Sequence, residues 1–339
     1  MVPAALAIAV LLLAVEARAQ AGGAGKPPAR KWVSWQLQEE NDFLAPTDGD
    51  DEFYTQGLLL TLDRHPDATP KWASKISDKL GKRLFGAREL SPTFGIEFGH
   101  YIFTPEDLDP TELQTDDRPY AGYLYGGLLL TLTTQDQMAQ QIFELQLGFV
   151  GPESGAEWVQ TRLHELIDSR EPRGWDHQLP FEPTLELIYL GRRRFGSSYL
   201  DVVPHWGGAL GNVQIYANAG FTLRFGRHLS GFPVLLNRAT ILPLKDDRPD
   251  WEFYGFVGAE GRWVGRNLFL DGSTFRDSHS VDREPFVYDL KAGFSLRYRS
   301  CRISYTAVRR SQEFDPLPMG RTRGEHDFGS LSFAVDRRF

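Results

Sequence analysis

Residues 286–299 read Phe286-Val287-Tyr288-Asp289-Leu290-Lys291-Ala292-Gly293-Phe294-Ser295-Leu296-Arg297-Tyr298-Arg299. In an extended chain, successive side chains point to opposite faces. One face here would carry Phe286, Tyr288, Leu290, Ala292, Phe294, Leu296 and Tyr298, and the other Val287, Asp289, Lys291, Gly293, Ser295, Arg297 and Arg299. A charged row of that length does not suit the interior of a β-sandwich, because each buried charge needs a partner. It suits a strand with one face in lipid and the other in a polar lumen.

The same pattern recurs along the chain. At 214–225, Ile215, Ala217, Ala219, Phe221, Leu223 and Phe225 alternate with Gln214, Tyr216, Asn218, Gly220, Thr222 and Arg224. Segments of this kind lie at 32–42, 53–64, 93–103, 119–133, 140–150, 183–193, 199–210, 213–226, 250–263, 285–299, 301–310 and 328–339. That is about twelve, an even number as bacterial outer-membrane barrels require. The last segment alternates Leu331, Phe333 and Val335 with Ser332, Ala334 and Asp336 and ends on Phe339. A terminal strand closing on an aromatic resembles the signal read by the barrel-assembly machinery. The expected fold is all-β: a transmembrane antiparallel β-barrel of about twelve strands over 32–339, with a short helix in an extracellular loop.

Composition agrees with this reading. Mean hydropathy is -0.35, yet the chain holds 23 Phe, 12 Tyr, 8 Trp and 33 Gly. Spreading apolar residues over alternate positions hides them from a hydropathy window. The net charge of -8 argues against a nucleic-acid partner. Cys301 is the single cysteine, so neither an internal disulfide nor a multi-cysteine metal site is available. Residues 2–15 are almost wholly apolar and Ala17-Arg18-Ala19 follows, which reads as a secretory signal peptide over 1–19. A flexible Gly/Pro-rich lead occupies 20–31.

Strand parity then sorts the connections. With the N-terminus in the periplasm, 43–52, 104–118, 151–182, 264–284 and 311–327 lie outside the cell, and the short turns 134–139 and 194–198 lie inside. Two long segments also fall inside. The first, 65–92, holds an amphipathic helix over Lys71 to Leu84; the second, 227–249, has no evident role.

Three polar clusters share the outer rim: Glu39-Glu40-Asn41-Asp42, Thr115-Asp116-Asp117-Arg118, and the helix-like stretch from Glu157 to Asp168. In the last, Trp158, Leu163, Leu166 and Ile167 supply an apolar stripe. Gln160 and His164 are four apart and point the same way. Such a helix either presents a histidine base to a lipid carbonyl or simply plugs the mouth. Asn41 and Asp42 offer oxygens suited to a hard cation, or form a polar strand end before the acidic run Asp48-Gly49-Asp50-Asp51. Arg118 either opens a turn with Pro119 or binds a phosphate or carboxylate in bidentate fashion. Thr55 stands at the top of the second strand, on the face shared with Gly57, Thr61 and Asp63. No G-x-S-x-G occurs, which favours attack by water over an acyl-enzyme.

Several runs together resemble the lipid A deacylase LpxR family. They are Asn41-Asp42-Phe43, Tyr54-Thr55-Gln56-Gly57-Leu58, Asp117-Arg118-Pro119-Tyr120-Ala121-Gly122-Tyr123-Leu124-Tyr125, and Gly148-Phe149-Val150-Gly151-Pro152 followed by Gln160-x-x-x-His164 and Gly174-Trp175-x-x-Gln178-Leu179. The resemblance implies a twelve-stranded outer-membrane barrel and a Ca2+-dependent ester hydrolase. The substrate it implies is lipid A of lipopolysaccharide, from which the 3′-linked acyloxyacyl chain is removed. It implies His164 as the catalytic histidine, Gln160 as its neighbour on the helix, Asn41 and Asp42 as the pair near the metal, and Thr55 and Arg118 as further active-site positions. No organic cofactor is implied.

Two positions depart from the pattern. Thr115 stands where some members have lysine, and Arg170 where some have glutamate, with Glu171 next to it. An outer-membrane phospholipase, a passive barrel and a catalytically silent member would all share the strand alternation; only the rim residues separate them.

Overall fold

The computed structural model describes residues 32–45, 56–64, 69–86, 89–233, 249–314 and 325–336. The signal peptide expected at 1–19, the lead at 20–31, Thr55, the acidic run 48–51 and Phe339 lie outside the described residues. Twelve long strands are described: β1 (Trp32–Asn41), β2 (Gln56–Arg64), β3 (Leu90–Phe103), β4 (Ala121–Thr134), β5 (Ala139–Val150), β6 (Glu182–Arg193), β7 (Leu200–Gly211), β8 (Gln214–Arg227), β9 (Trp251–Asn267), β10 (Phe286–Tyr298), β11 (Cys301–Arg310) and β12 (His326–Asp336). Each pairs antiparallel with its sequence neighbours, and a two-residue ladder at Phe195–Gly196 extends the β6–β7 turn. β1 pairs with β12 from Ser34↔Asp336 to Asn41↔Gly329, so the sheet closes and no backbone edge is left to face lipid.

Burial is inverted relative to a soluble protein. On β10, Phe286, Leu290, Phe294, Leu296 and Tyr298 are exposed, while Asp289, Ser295 and Arg297 are buried. The lumen holds its charges in pairs. Arg224 donates to both oxygens of Asp201 at 2.8 and 2.6 Å, and Arg194 reaches the same carboxylate at 2.5 Å. Asp289 is held between Arg262 and Arg310 at 3.0 and 2.9 Å. Glu260 lies between His205 at 2.9 Å and Lys291 at 3.4 Å. Buried charges are tolerable only when paired in this way.

Side chains pack both ends of the lumen. At the outer mouth a helical turn, Leu268–Asp271, buries Leu268, Phe269 and Leu270, and Phe269 stacks on Phe103 at 4.0 Å. At the periplasmic end the segment after β8 turns inward. Phe232 packs under the Arg192 guanidinium at 4.6 Å, and Arg192 and Arg224 donate to the carbonyls of Pro233 and Gly231. The described part of 227–249 therefore plugs the barrel; residues 234–248 lie outside the described residues.

β9 runs to Asn267, beyond the end of the alternation at Trp263, because a bulge between Val264 and Arg266 shifts the register and breaks the period-two pattern. Two helices lie against the outside of the wall, α1 (Lys71–Phe85) and α2 (Ala156–Ile167). Both cover β3 and β4, at opposite ends of these strands. α1 buries Ala73 over Phe94, Leu130 and Leu132, and α2 buries Ala156 over Ile102.

Candidate active site

On β1 the lumen side carries Gln36, Gln38 and Glu40, joined in a chain of side-chain hydrogen bonds. By alternation Glu39 and Asn41 face outward. On β2 the lumen side carries Leu59, Thr61 and Asp63, so Gln56 faces outward too, and its Nε2 donates to Glu39 Oε1 at 3.1 Å. On β3 the lumen side carries Glu97 and Tyr101, which leaves His100 and Ile102 outside. Register aligns Gln56 with Ile102 and Ile102 with Gly122. One rung of the outer wall near the rim therefore runs Asn41, Gln56, Ile102, Gly122. Lower on the wall, Phe98 is 52% exposed and Leu128 42%, whereas Asn41, Gln56 and Ile102 are buried. This rung is covered, and α2 provides its roof over β3 and β4.

The sequence builds that roof residue by residue. Gly151 has φ 118°, a left-handed conformation that favours glycine, and turns the chain back over the wall. Gly122 lies directly beneath. A Cβ there would meet Ser154 Oγ at 2.1 Å and Ala156 Cβ at 2.3 Å, so only glycine lets the helix approach so closely. Ile102, Leu108, Tyr120, Ala156 and Trp175 form the apolar contact, with Tyr120 and Trp175 rings 5.0 Å apart. Ala156, Gln160 and His164 share one side of α2 and are buried. Trp158 and Leu166, in contrast, are 67% and 72% exposed, so these two residues of the expected apolar stripe face outward, while Leu163 is half-buried.

The expected site residues fall into two groups. Gln160 and His164 are on the wall side of α2, outside the barrel. Gln160 Oε1 accepts a hydrogen bond from Trp175 Nε1 at 2.9 Å, which explains the spacing between the Gln-x-x-x-His and Gly-Trp runs. His164 Nδ1 donates to the carbonyl of Arg170. A carbonyl can only accept, so this bond places the proton on Nδ1 and the lone pair of the neutral ring on Nε2. Arg170 thus meets His164 through its backbone carbonyl. Asn41 and Asp42 end β1 at the same rim. Asn41 Oδ1 and Asp42 Oδ1 both accept from Phe43 N–H, at 2.8 and 2.7 Å.

Arg118 belongs to the other group. Its guanidinium sits 5.0 Å from the centre of the Phe103 ring and pairs with Glu313 at 3.6 Å, on the lumen side of the rim. Asp117 before it accepts from the backbone N–H of Glu106 at 2.9 Å and of Arg118 at 2.6 Å. His279 donates to the Asp117 carbonyl at 2.6 Å. The Asp-Arg-Pro-Tyr run therefore knots three outer loops together. Burial pushes the Asp117 carboxyl up, opposed by those two N–H donors. Burial also acts to raise Glu313, but the guanidinium groups of Arg310 and Arg118 outweigh it and hold this carboxyl below its ordinary range. Thr115 is exposed.

Sequence reading attached no role to Gln56 or His100. Among the described residues, Gln56 Oε1, His100 Nε2 and Gln160 Nε2 are buried with no hydrogen-bond partner. Buried polar atoms are ordinarily satisfied, and those that are not mark places a ligand or water completes. The sequence carried a signal for the two wall residues: each is polar in the lipid-facing register of its strand.

Asn41 and Asp42 bring two side-chain oxygens together at the rim, the ligand type a hard cation takes. Among the described residues no group of three or more His, Cys, Asp and Glu side chains gathers as ligands. An ion at Asn41 and Asp42 would thus be completed by carbonyl, water or substrate oxygens.

The chain matches the model of a protein family, the outer membrane protein LpxR, over residues 6–337. Among solved structures it is similar to LpxR from Salmonella typhimurium, with 19% identity over 90% of this chain and 100% of that chain and a TM-score of 0.68. The β domain of the Bordetella autotransporter BrkA aligns at 10% identity over 91% of this chain and 100% of that one, with a TM-score of only 0.44. No curated protein matches. The Salmonella structure shares the fold and the family model spans nearly the whole sequence: the chain belongs to the outer membrane protein LpxR family.

Proposed function

We propose that this protein is a lipid A 3′-O-deacylase of the outer leaflet, hydrolysing the ester of the 3′-linked acyloxyacyl chain. The observation that carries the reading is where His164 and Gln160 lie. The buried His164 and Gln160 face the outside of the barrel wall, at its outer rim, where a lipid ester reaches them sideways from the leaflet. The packed lumen ends do not favour a passive channel. At the same rim the exposed Trp158, Leu166 and Phe43 continue the apolar belt and suit acyl chains.

In this mechanism His164 Nε2 accepts a proton from water as the water attacks the ester carbonyl, while Nδ1–H stays on the Arg170 carbonyl and fixes the ring. Gln160, one helical turn before His164 and anchored through Trp175, positions the water or the ester. Asn41 and Asp42 would hold Ca2+, which when bound supplies positive charge for the developing oxyanion. Arg118 acts from the lumen side by orienting the loop carboxylate Glu313. Thr55 takes its place in the site from the family resemblance.

The test is the mass spectrum of lipid A from a Gram-negative host that lacks such an activity. Expression of the wild type should remove one acyloxyacyl group; His164→Ala should leave lipid A intact, a loss of at least about 100-fold in general-base terms. Chelation in isolated membranes should do the same, and added Ca2+ should restore cleavage. Unchanged lipid A from a folded wild-type barrel with Ca2+ present would sink this assignment, and cleaved glycerophospholipid in its place would establish a phospholipase.

A further inference from the structure

α1 (Lys71–Phe85) is a second helix on the outside of the wall, at the end opposite α2. Its wall face is made of small residues: Ala73, Ser77 and Gly81 are buried, and a Cβ on Gly81 would overlap the Leu90 side chain. Trp72 packs edge-on against Phe94 with ring centres 5.3 Å apart, yet stays 52% exposed. Ile76 is exposed one turn further on, and Leu84 near the end of the helix. Lys71, Lys75, Lys79, Lys82 and Arg83 are exposed as well, against a single acidic residue, Asp78. A helix so basic is out of character for a chain of net charge -8. On a wheel of 100° per residue the lysines cluster on one side. Trp72 and Ile76 fall between them and the buried face, where a helix lying in a membrane interface keeps its apolar flank.

The height of the helix fits. Phe94 beneath α1 and Ile102 beneath α2 are eight residues apart on β3, about 27 Å at the strand rise. Tilted by about 40°, that spans roughly 20 Å of height, close to the ~25 Å apolar band of such barrels. The two helices bracket the lipid band on one side of the barrel, and α1 marks its periplasmic border.

We infer that α1 is a docking surface for the anionic phospholipid headgroups of the periplasmic leaflet, with Lys75, Lys79, Lys82 and Arg83 on the phosphates and Trp72 and Ile76 among the upper acyl carbons. This surface is independent of the deacylase site and stands whether or not that reading holds.

The experiment is amide hydrogen exchange over 71–85 of the full protein in nanodiscs, comparing phosphatidylcholine alone with phosphatidylcholine containing phosphatidylglycerol. Exchange should slow by at least about fivefold in the anionic discs, the effect of one basic side chain near a charged leaflet. High salt should erase the difference. The variant carrying Lys75→Gln, Lys79→Gln, Lys82→Gln and Arg83→Gln should lose it too, while its barrel keeps native heat-modifiable migration. If that variant does not fold, native mass spectrometry of the wild type replaces it, and retained phosphatidylglycerol in excess over phosphatidylcholine is the expected result. Equal exchange in both discs overturns the inference. So does equal protection by inorganic phosphate in neutral discs, which would mean a phosphate site rather than a membrane surface.

Discussion

At the scale of single residues, close approach decides the site. Gly122 is polar neither in character nor in role, yet the docking of α2 on the wall depends on it, because any Cβ would collide with Ser154 and Ala156. Gly122→Val should lift α2 from β4 and reduce lipid A cleavage by at least about 100-fold, the scale of catalytic loss that a displacement near 1 Å brings. The barrel should still fold, since the new side chain points outward. Lipid A mass spectrometry beside gel migration separates the two effects, and full activity in the valine variant would show that the helix does not need this contact. The His164–Arg170 contact belongs to the same scale: a ring is oriented by a backbone carbonyl, so the identity of residue 170 matters less than its position.

At the scale of elements, the outer loops are held by a few charged ties, and pH should reach them through Glu313. Its carboxyl is held low by Arg310 and Arg118. A group depressed in the folded state contributes stability above its unfolded value, roughly 4.3 for Glu, and that contribution is lost as pH falls through the lower folded value. Asp117, pushed up by burial, has the opposite sign, and acid favours its folded form. The wild type should therefore lose denaturant resistance between about pH 5 and pH 3. Glu313→Gln should be weaker at pH 7 and flatter across that window. Unfolding curves at several pH values read both quantities, and parallel curves would remove Glu313 from the account.

For the whole molecule, the lumen joins an aromatic cluster around Tyr101, Tyr123 and Phe269 to a lattice of paired charges, and the lattice holds only while each charge keeps its partner. Asp201 serves both Arg224 and Arg194. Asp201→Ala should destabilise the barrel by about 3–5 kcal/mol, because two buried guanidinium groups lose their counter-charge at once. A clearly lower temperature of the heat-modifiable shift is the expected readout, and an unchanged one would mean that carbonyls such as that of Gly231 already suffice.

The barrel was legible from the chain alone. Period-two alternation of apolar and charged residues is a local property, so the twelve strands and their antiparallel order follow from it. Strand ends were less legible: β3 starts at Leu90 rather than 93, and a bulge after Trp263 let β9 run on to Asn267. Motif spacing likewise pointed to Asn41, Asp42, Gln160 and His164. Which side of the wall these residues occupy was decided by tertiary structure. A helix of mixed character has two candidate faces, and its docking on β3 and β4 chose the one with Ala156, Gln160 and His164 and left Trp158 and Leu166 to the lipid. Arg118, by contrast, was drawn to the lumen side by Phe103 and Glu313. These outcomes depend on packing between segments far apart in sequence, and no local period encodes that.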